Sequence, residues 1–234
     1  MSGGTDDRAP ERALPTVSQP ALDLLRSGVI SIATRALSPL SDEEREMVHR
    51  ESWFTILRRD HRAFKATLAF EETIERLRKT QLADGTVFIQ EAALMECLHY
   101  LVWFEGPLNT RLGEVCFLGV RGGTPFLVKR DSDWVQLVSP QEIMDASVSL
   151  KAGYLRSNQV RLPQGVCETK LRNAVAHMDI ELTEDGSILY WPRLSEQPEH
   201  TNIWKLQRQV WAVRDVCITI QKAVADTIGQ YSPP

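Results

Sequence analysis

Residues 170–191 read KLRNAVAHMDIELTEDGSILYW, and the fold turns on how they are parsed. The first nine or so are rich in Ala, Val and Leu and suit a short helix. From Asp179 the pattern changes to alternation around Asp185-Gly186, a dipeptide favoured in two-residue hairpin turns. The stretch therefore predicts a helix over about 166–178 that runs into a β-hairpin. That helix carries Arg172, Asn173 and His177 within two turns, so it is either an ordinary polar helix end or a site.

Working outward, the remaining chain reads as helical. Residues 1–20 are rich in Gly, Pro, Ser, Thr and charge and predict a flexible tail. A short helix is expected over 21–36. Ser41 with Glu44 forms a capping box, in which each side chain satisfies a free backbone N–H at a helix start. From there Trp53, Ile56, Leu57, Phe64, Leu68, Ile74 and Leu77 recur at helical spacing, which predicts a long helix or a broken pair, and ADG at 83–85 ends the run. A second apolar helix spans about 87–104, and EGP at 105–107 breaks it, because proline removes a donor. A further helix covers about 108–120, stopped by Gly122-Gly123.

TPFLVKRDSDWVQLVS, 124–139, suits a hairpin or an extended loop. Ser139 and Glu142, with Pro140 between them, predict a capped helix to about 155. A final helix over 201–228 directs Ile203, Leu206, Val210, Trp211, Val213, Ile218, Ile220 and Val224 inward. Trp204 and Trp211, seven apart, go to core or dimer interface. The expectation is one all-α domain over 21–234, an antiparallel helical bundle with a small β-hairpin after the motif helix.

Composition narrows the function classes. Charged residues are 25% and the net charge is −4, so the whole chain is not an obvious polyanion binder. The cations are mostly arginine, 20 Arg to 7 Lys, and arginine suits bidentate contact with phosphate. Cys97, Cys116, Cys167 and Cys217 have no metal-ligand spacing and read as buried thiols in a cytoplasmic protein. The N-terminus has no apolar core of the kind a signal peptide needs. The most apolar run, 87–104, is interrupted by Gln90, Glu91, Glu96 and His99, so no membrane span is expected. His49, His61, His99 and His200 have no ligand-spaced companion and suit packed or solvated roles. RRDHR at 58–62 suits a solvated helix face, and GVRGGTP at 119–125 a turn rather than a phosphate loop.

LRNAVAH on a helix late in a helical chain, followed by a short hairpin, resembles the HEPN superfamily (higher eukaryotes and prokaryotes nucleotide-binding). The match covers roughly 163–191. The resemblance implies a helical bundle that commonly dimerises. It also implies, for many members, a metal-independent endoribonuclease in toxin–antitoxin, abortive-infection or other antiviral systems; other members are inactive scaffolds or regulators. The family's Arg and His fall on Arg172 and His177, and its frequent polar residue after the Arg falls on Asn173.

The residue chemistry fits that implication. Metal-free RNA cleavage needs a base for the ribose 2′-OH, an acid for the leaving 5′-oxygen and a cation for the charge on phosphorus. An imidazole serves as base or acid near neutral pH, and a guanidinium presents a fork of donors to phosphate oxygens. Asn173 and His177 are four apart on one helix face, so Asn173 either orients the imidazole or contacts a nucleotide. Glu168, four before Arg172, is placed to hold the guanidinium. Arg172 and His177 are about 140° apart around the helix. A cleft between two copies of this helix brings them together, one His acting as base and its mate as acid.

The expectation is thus a homodimer through the motif helix that acts on RNA with no metal or cofactor, with an antitoxin or defence-system partner. Asp179 stands where HEPN toxins modified by a nucleotidyltransferase antitoxin carry Tyr, which disfavours that particular partner. The alternative is a catalytically inactive nucleotide- or RNA-binding or scaffold subunit. In its plainest form Arg172 only pairs with Glu168, and His177 only complements the helix dipole.

Overall fold

The computed structural model describes residues 17–45, 62, 64–77, 79, 89–192 and 197–231. The tail over 1–16, Trp53, Ile56, Leu57, His49, His61 and the ADG stop at 83–85 lie outside the described residues. So does most of RRDHR; its last residue, Arg62, is helical and exposed.

The chain begins with α1 (Gln19–Leu37), two residues earlier than expected, with Pro20 in its first turn. Leu25, Val29, Ile32, Ala33 and Ala36 recur at helical spacing and are buried. Ser41 and Glu44 make the expected capping box: Ser41 N–H donates to Glu44 Oε2 at 2.8 Å, and Glu44 N–H to Ser41 Oγ at 3.2 Å. Residues 64–77 form α2. Ile74 is buried there, while Phe64, Leu68 and Leu77 are exposed.

The largest departure comes next. EGP does not break the chain into two helices. α3 (Ile89–Trp103) passes through a π-helical turn (Phe104–Leu108) into α4 (Asn109–Arg121) without leaving the helical path. In an α-helix the carbonyl four residues before Pro107 would lose its partner and strike the ring. A turn with i→i+5 bonding passes that carbonyl to the following residue. Asn109 N–H reaches the carbonyls of Phe104 and Gly106, and Thr110 Oγ1 donates to the Gly106 carbonyl at 2.9 Å. The Phe104 and Gly106 carbonyls thus keep partners across the proline, and α4 follows α3 without a break in the helical path.

After a turn at Gly122-Gly123, where Gly123 takes φ 82°, residues 124–139 resolve as a hairpin. β1 (Phe126–Arg130) pairs antiparallel with β2 (Asp133–Leu137). Asp131 supplies the positive φ, 54°, that a two-residue turn needs at its first position. The capping box at Ser139 and Glu142 is complete, but the helix it starts is short. α5 (Pro140–Asp145) ends where Ala146 turns extended, and Ser147 caps a new helix, α6 (Val148–Ser157), by accepting the Leu150 N–H. A second N-cap residue inside the run separates what was expected as one helix.

The motif helix α7 (Thr169–His177) is followed by β3 (Ile180–Leu182) and β4 (Ser187–Tyr190). Their turn is longer than the two residues expected: Gly186, at φ 79°, donates its N–H to the Thr183 carbonyl. A third strand, β5 (Glu199–Asn202), adds to β4, so the hairpin is one part of a three-stranded sheet. Thr201, expected in the last helix, belongs to β5.

The final helix α8 (Ile203–Tyr231) packs chiefly on α1 and α3. Leu206, Val210, Val213, Ile220 and Val224 are buried as expected, but Trp204, Trp211 and Ile218 are exposed. The result is a mainly helical fold with two small sheets. No described helix is long and apolar enough to cross a membrane.

Candidate functional site

α7 is short because its two ends are set locally. Glu168 takes the N-cap position with φ −79° and ψ 83°. Leu171, Ala174 and Val175 supply the buried face. Met178 ends the helix in the left-handed region, φ 58°, and Asp179 N–H returns to the Ala174 carbonyl at 2.8 Å. That conformation costs a residue with a Cβ about 1–2 kcal/mol. The Met178 side chain is itself exposed, so the backbone bonds hold the turn.

Arg172 leaves this helix toward the π turn, where its Nε donates to Glu105 Oε1. Its Nη1 donates to Asn173 Oδ1 at 2.8 Å. The Arg172 and Glu105 side chains are 30% and 38% exposed, so the pair sits at the rim of the fold. Among the described residues two of its donors are engaged, and these contacts leave the rest of the five-donor fork, Nη2 included, for another acceptor.

Glu168 does not hold the guanidinium. Its Oε2 accepts from Gln209 Nε2 at 2.7 Å, and its carbonyl accepts the Tyr100 hydroxyl at 3.1 Å. As an N-cap residue it lies outside the regular helix, so the four-residue spacing to Arg172 does not place the two side chains together. It ties α7 to α3 and α8 instead. Burial and the neighbouring Glu168 carboxylate push the Tyr100 phenol above its ordinary range, so that hydroxyl is a fixed donor.

Asn173 and His177 share the outer face of α7, and both are exposed. Asn173 contacts Arg172 rather than the imidazole. His177 makes no hydrogen bond or ion pair with a described residue, so its ring is open to solvent. Of the helix's alanines, Ala174 is buried in the protein's own core and only Ala176 is exposed, so the small-residue surface open to a second copy is Ala176 alone. Beside this face Lys170 Nζ reaches Glu199 Oε1 at 2.9 Å, and Tyr190 donates to Glu199 Oε2 at 2.7 Å. The Lys170 and Tyr190 bonds hold the Glu199 carboxyl below its usual range.

Arg172, Asn173 and Glu105 therefore form one cluster, His177 stands a turn further on, and Glu168 works on the inner side. Glu105 is the member that sequence reasoning missed, because EGP reads as a helix stop. An acidic residue two before a proline, with helical patterning on both sides of it, was the available signal.

Other polar groups are absorbed by the fold. His99 is buried between Glu96 Oε2 at 3.5 Å and Glu71 Oε1 at 3.6 Å, in the packed role expected of it. Burial pushes the Cys97 and Cys167 thiols up to about 12, which makes them poor nucleophiles. Among the described residues no group of three or more His, Cys, Asp or Glu is placed to hold a metal ion. No protein-family model, curated protein or solved structure matches the chain.

Proposed function

We propose that this chain is a metal-independent endoribonuclease of the HEPN type, acting as a toxin or antiphage effector, with its chemistry on the outer face of α7. The observation that carries the reading is the pairing on one short helix of a solvent-open imidazole, His177, with a guanidinium, Arg172, whose fork is only partly used. Arg172 binds the scissile phosphate and balances the charge that grows on its oxygens. His177 takes the proton of the ribose 2′-OH as that oxygen bonds to phosphorus. The bond from phosphorus to the 5′-oxygen breaks, and that oxygen leaves with a proton from the partner subunit's His177. Asn173 keeps Arg172 in position. Two copies meet through the exposed part of α7 around Ala176.

The test is cleavage of a mixed-sequence RNA in EDTA by the wild type, Arg172→Ala and His177→Ala. Each substitution is expected to reduce the rate by about 10²–10³. Cleavage that survives both removes the site.

A second reading is a binding or scaffold subunit without catalysis, and the Glu105 contact favours it, because an acidic partner already occupies the guanidinium. That reading expects no cleavage by a folded wild type and retained RNA or protein binding.

A further inference from the structure

We propose that the outward face of α8 is a two-fold interface between copies of this chain, with Trp211 at the axis and each copy's Trp204 seated in a hollow beside the other's Ile218. The proposal goes beyond the nuclease reading and holds whether or not α7 meets its own copy.

Trp204, Trp211 and Ile218 are 67%, 50% and 39% exposed. They recur every seven residues, so they form one stripe along α8, about 21 Å from end to end. Two tryptophans on one outer face of a helix, Trp204 in its first turn, are far more apolar surface than solvation favours. At ~250 Å² for a whole tryptophan, the stripe offers roughly 350 Å² per copy, close to half of the ~800 Å² that each side of a standard interface buries.

The identity of the occupant follows from the symmetry of the stripe. A two-fold axis pairs positions equally far from its centre. Trp204 and Ile218 each stand seven residues from Trp211, so an antiparallel pair of α8 helices sets the partner's Trp204 over Ile218. There the surface is concave. A hollow of about 340 Å³ opens there between α8 and α1, with Ile218 and Leu22 as its apolar lining and Asp23, Asp215 and Asp226 as its acidic wall. An exposed knob at one end and a hole at the other, equidistant from the centre, is the arrangement a self-complementary interface needs. The Asp23 carboxylate on the wall offers the indole N–H the acceptor it requires once buried.

Charge agrees with shape. At 100° per residue, Arg208 and Asp215 fall on the same flank of the stripe, three residues before Trp211 and four after it. In an antiparallel pair like flanks face each other, so each copy's Arg208 meets the partner's Asp215. Arg214 already lies over the Trp211 ring, 5.1 Å from its centroid, which orients the indole at the axis.

The test is the mass of the full chain by light scattering, for the wild type, Trp211→Glu and Trp204→Ala. Circular dichroism of each variant checks that it is folded. Trp211→Glu is expected to halve the assembled mass, and Trp204→Ala to weaken association about tenfold or more. Trp211→Cys is expected to form a covalent dimer on mild oxidation, while Lys129→Cys, on the distant exposed strand β1, does not. A wild type that stays monomeric at every concentration overturns the proposal. So does an assembled mass that Trp211→Glu leaves unchanged, or a monomer that uses this face to bind neutral lipid vesicles.

Discussion

Arg172 Nε donates to Glu105 Oε1 across 67 residues of sequence, and Glu105 lies in the same π turn that accommodates Pro107. An i→i+5 turn adds one residue to the local winding, which alters the direction in which Glu105 leaves the helix. The same backbone irregularity that accommodates the proline thus carries the carboxylate that meets the guanidinium of the motif.

Glu105→Gln separates masking from positioning. If Glu105 occupies a guanidinium that RNA would otherwise use, the substitution raises RNA affinity about fivefold, as expected for a rim pair worth ~1 kcal/mol. Fluorescence anisotropy in EDTA reads this directly. Global stability should fall by the same ~1 kcal/mol, because the substitution removes that pair from the folded chain. A fall in affinity would show that Arg172 needs Glu105 to hold it in place.

Thr110→Val tests the π turn itself. Thr110 is buried, and its hydroxyl serves the Gly106 carbonyl. Valine keeps the shape and removes the donor, so the carbonyl is left without that bond inside the fold. Urea unfolding is expected to show a loss of about 1–2 kcal/mol. A neutral result would mean that Asn109 N–H alone satisfies the carbonyl.

How much of this could be read in the residues depends on the range of the interaction. The capping boxes at Ser41 and Ser139 were legible because donor and acceptor lie three residues apart. Pro107 was misread because a proline signals only that an α-helical bond is lost, while the replacement depends on Thr110 and on the packing of α3 and α4. β5 had no strand signal in EHTN; it forms where β4 offers an open edge. The seven-residue spacing of Trp204, Trp211 and Ile218 announced a shared face of α8 but not which way that face points. At the candidate site Arg172, Asn173 and His177 were legible by residue type and spacing. Glu105 was not, since nothing local links it to α7, and the role expected of Glu168 failed because spacing says nothing about an N-cap residue's orientation.

Gly186→Ala should be costly for two separate reasons. Its φ of 79° is left-handed, and an added Cβ would come within 2.5 Å of Ile89 Cγ2. The strain and the clash together are expected to cost about 2–4 kcal/mol, measured by thermal unfolding. The double variant with Ile89→Ala removes the clash but not the strain. If it recovers nothing of the loss caused by Gly186→Ala, the contact with α3 is not what limits this turn.

Acid should weaken the capped helix starts first. The Ser139 hydroxyl and the backbone N–H groups of Ser139 and Val138 hold the Glu142 carboxyl below its ordinary value of 4.5, and Ser41 does the same for Glu44. A carboxylate whose folded value is depressed binds its proton more weakly in the folded than in the unfolded chain. Its contribution is therefore complete above about 4.5 and is lost as pH falls through the depressed folded value. Ser139→Ala removes the hydroxyl that donates to this carboxylate and accepts the Glu142 N–H. The gap in Tm between wild type and Ser139→Ala is thus expected to be widest near neutral pH and to shrink steadily below about pH 4.5. A gap that stays constant to pH 3 would assign the Ser139 contribution to its neutral bond with the Glu142 N–H alone.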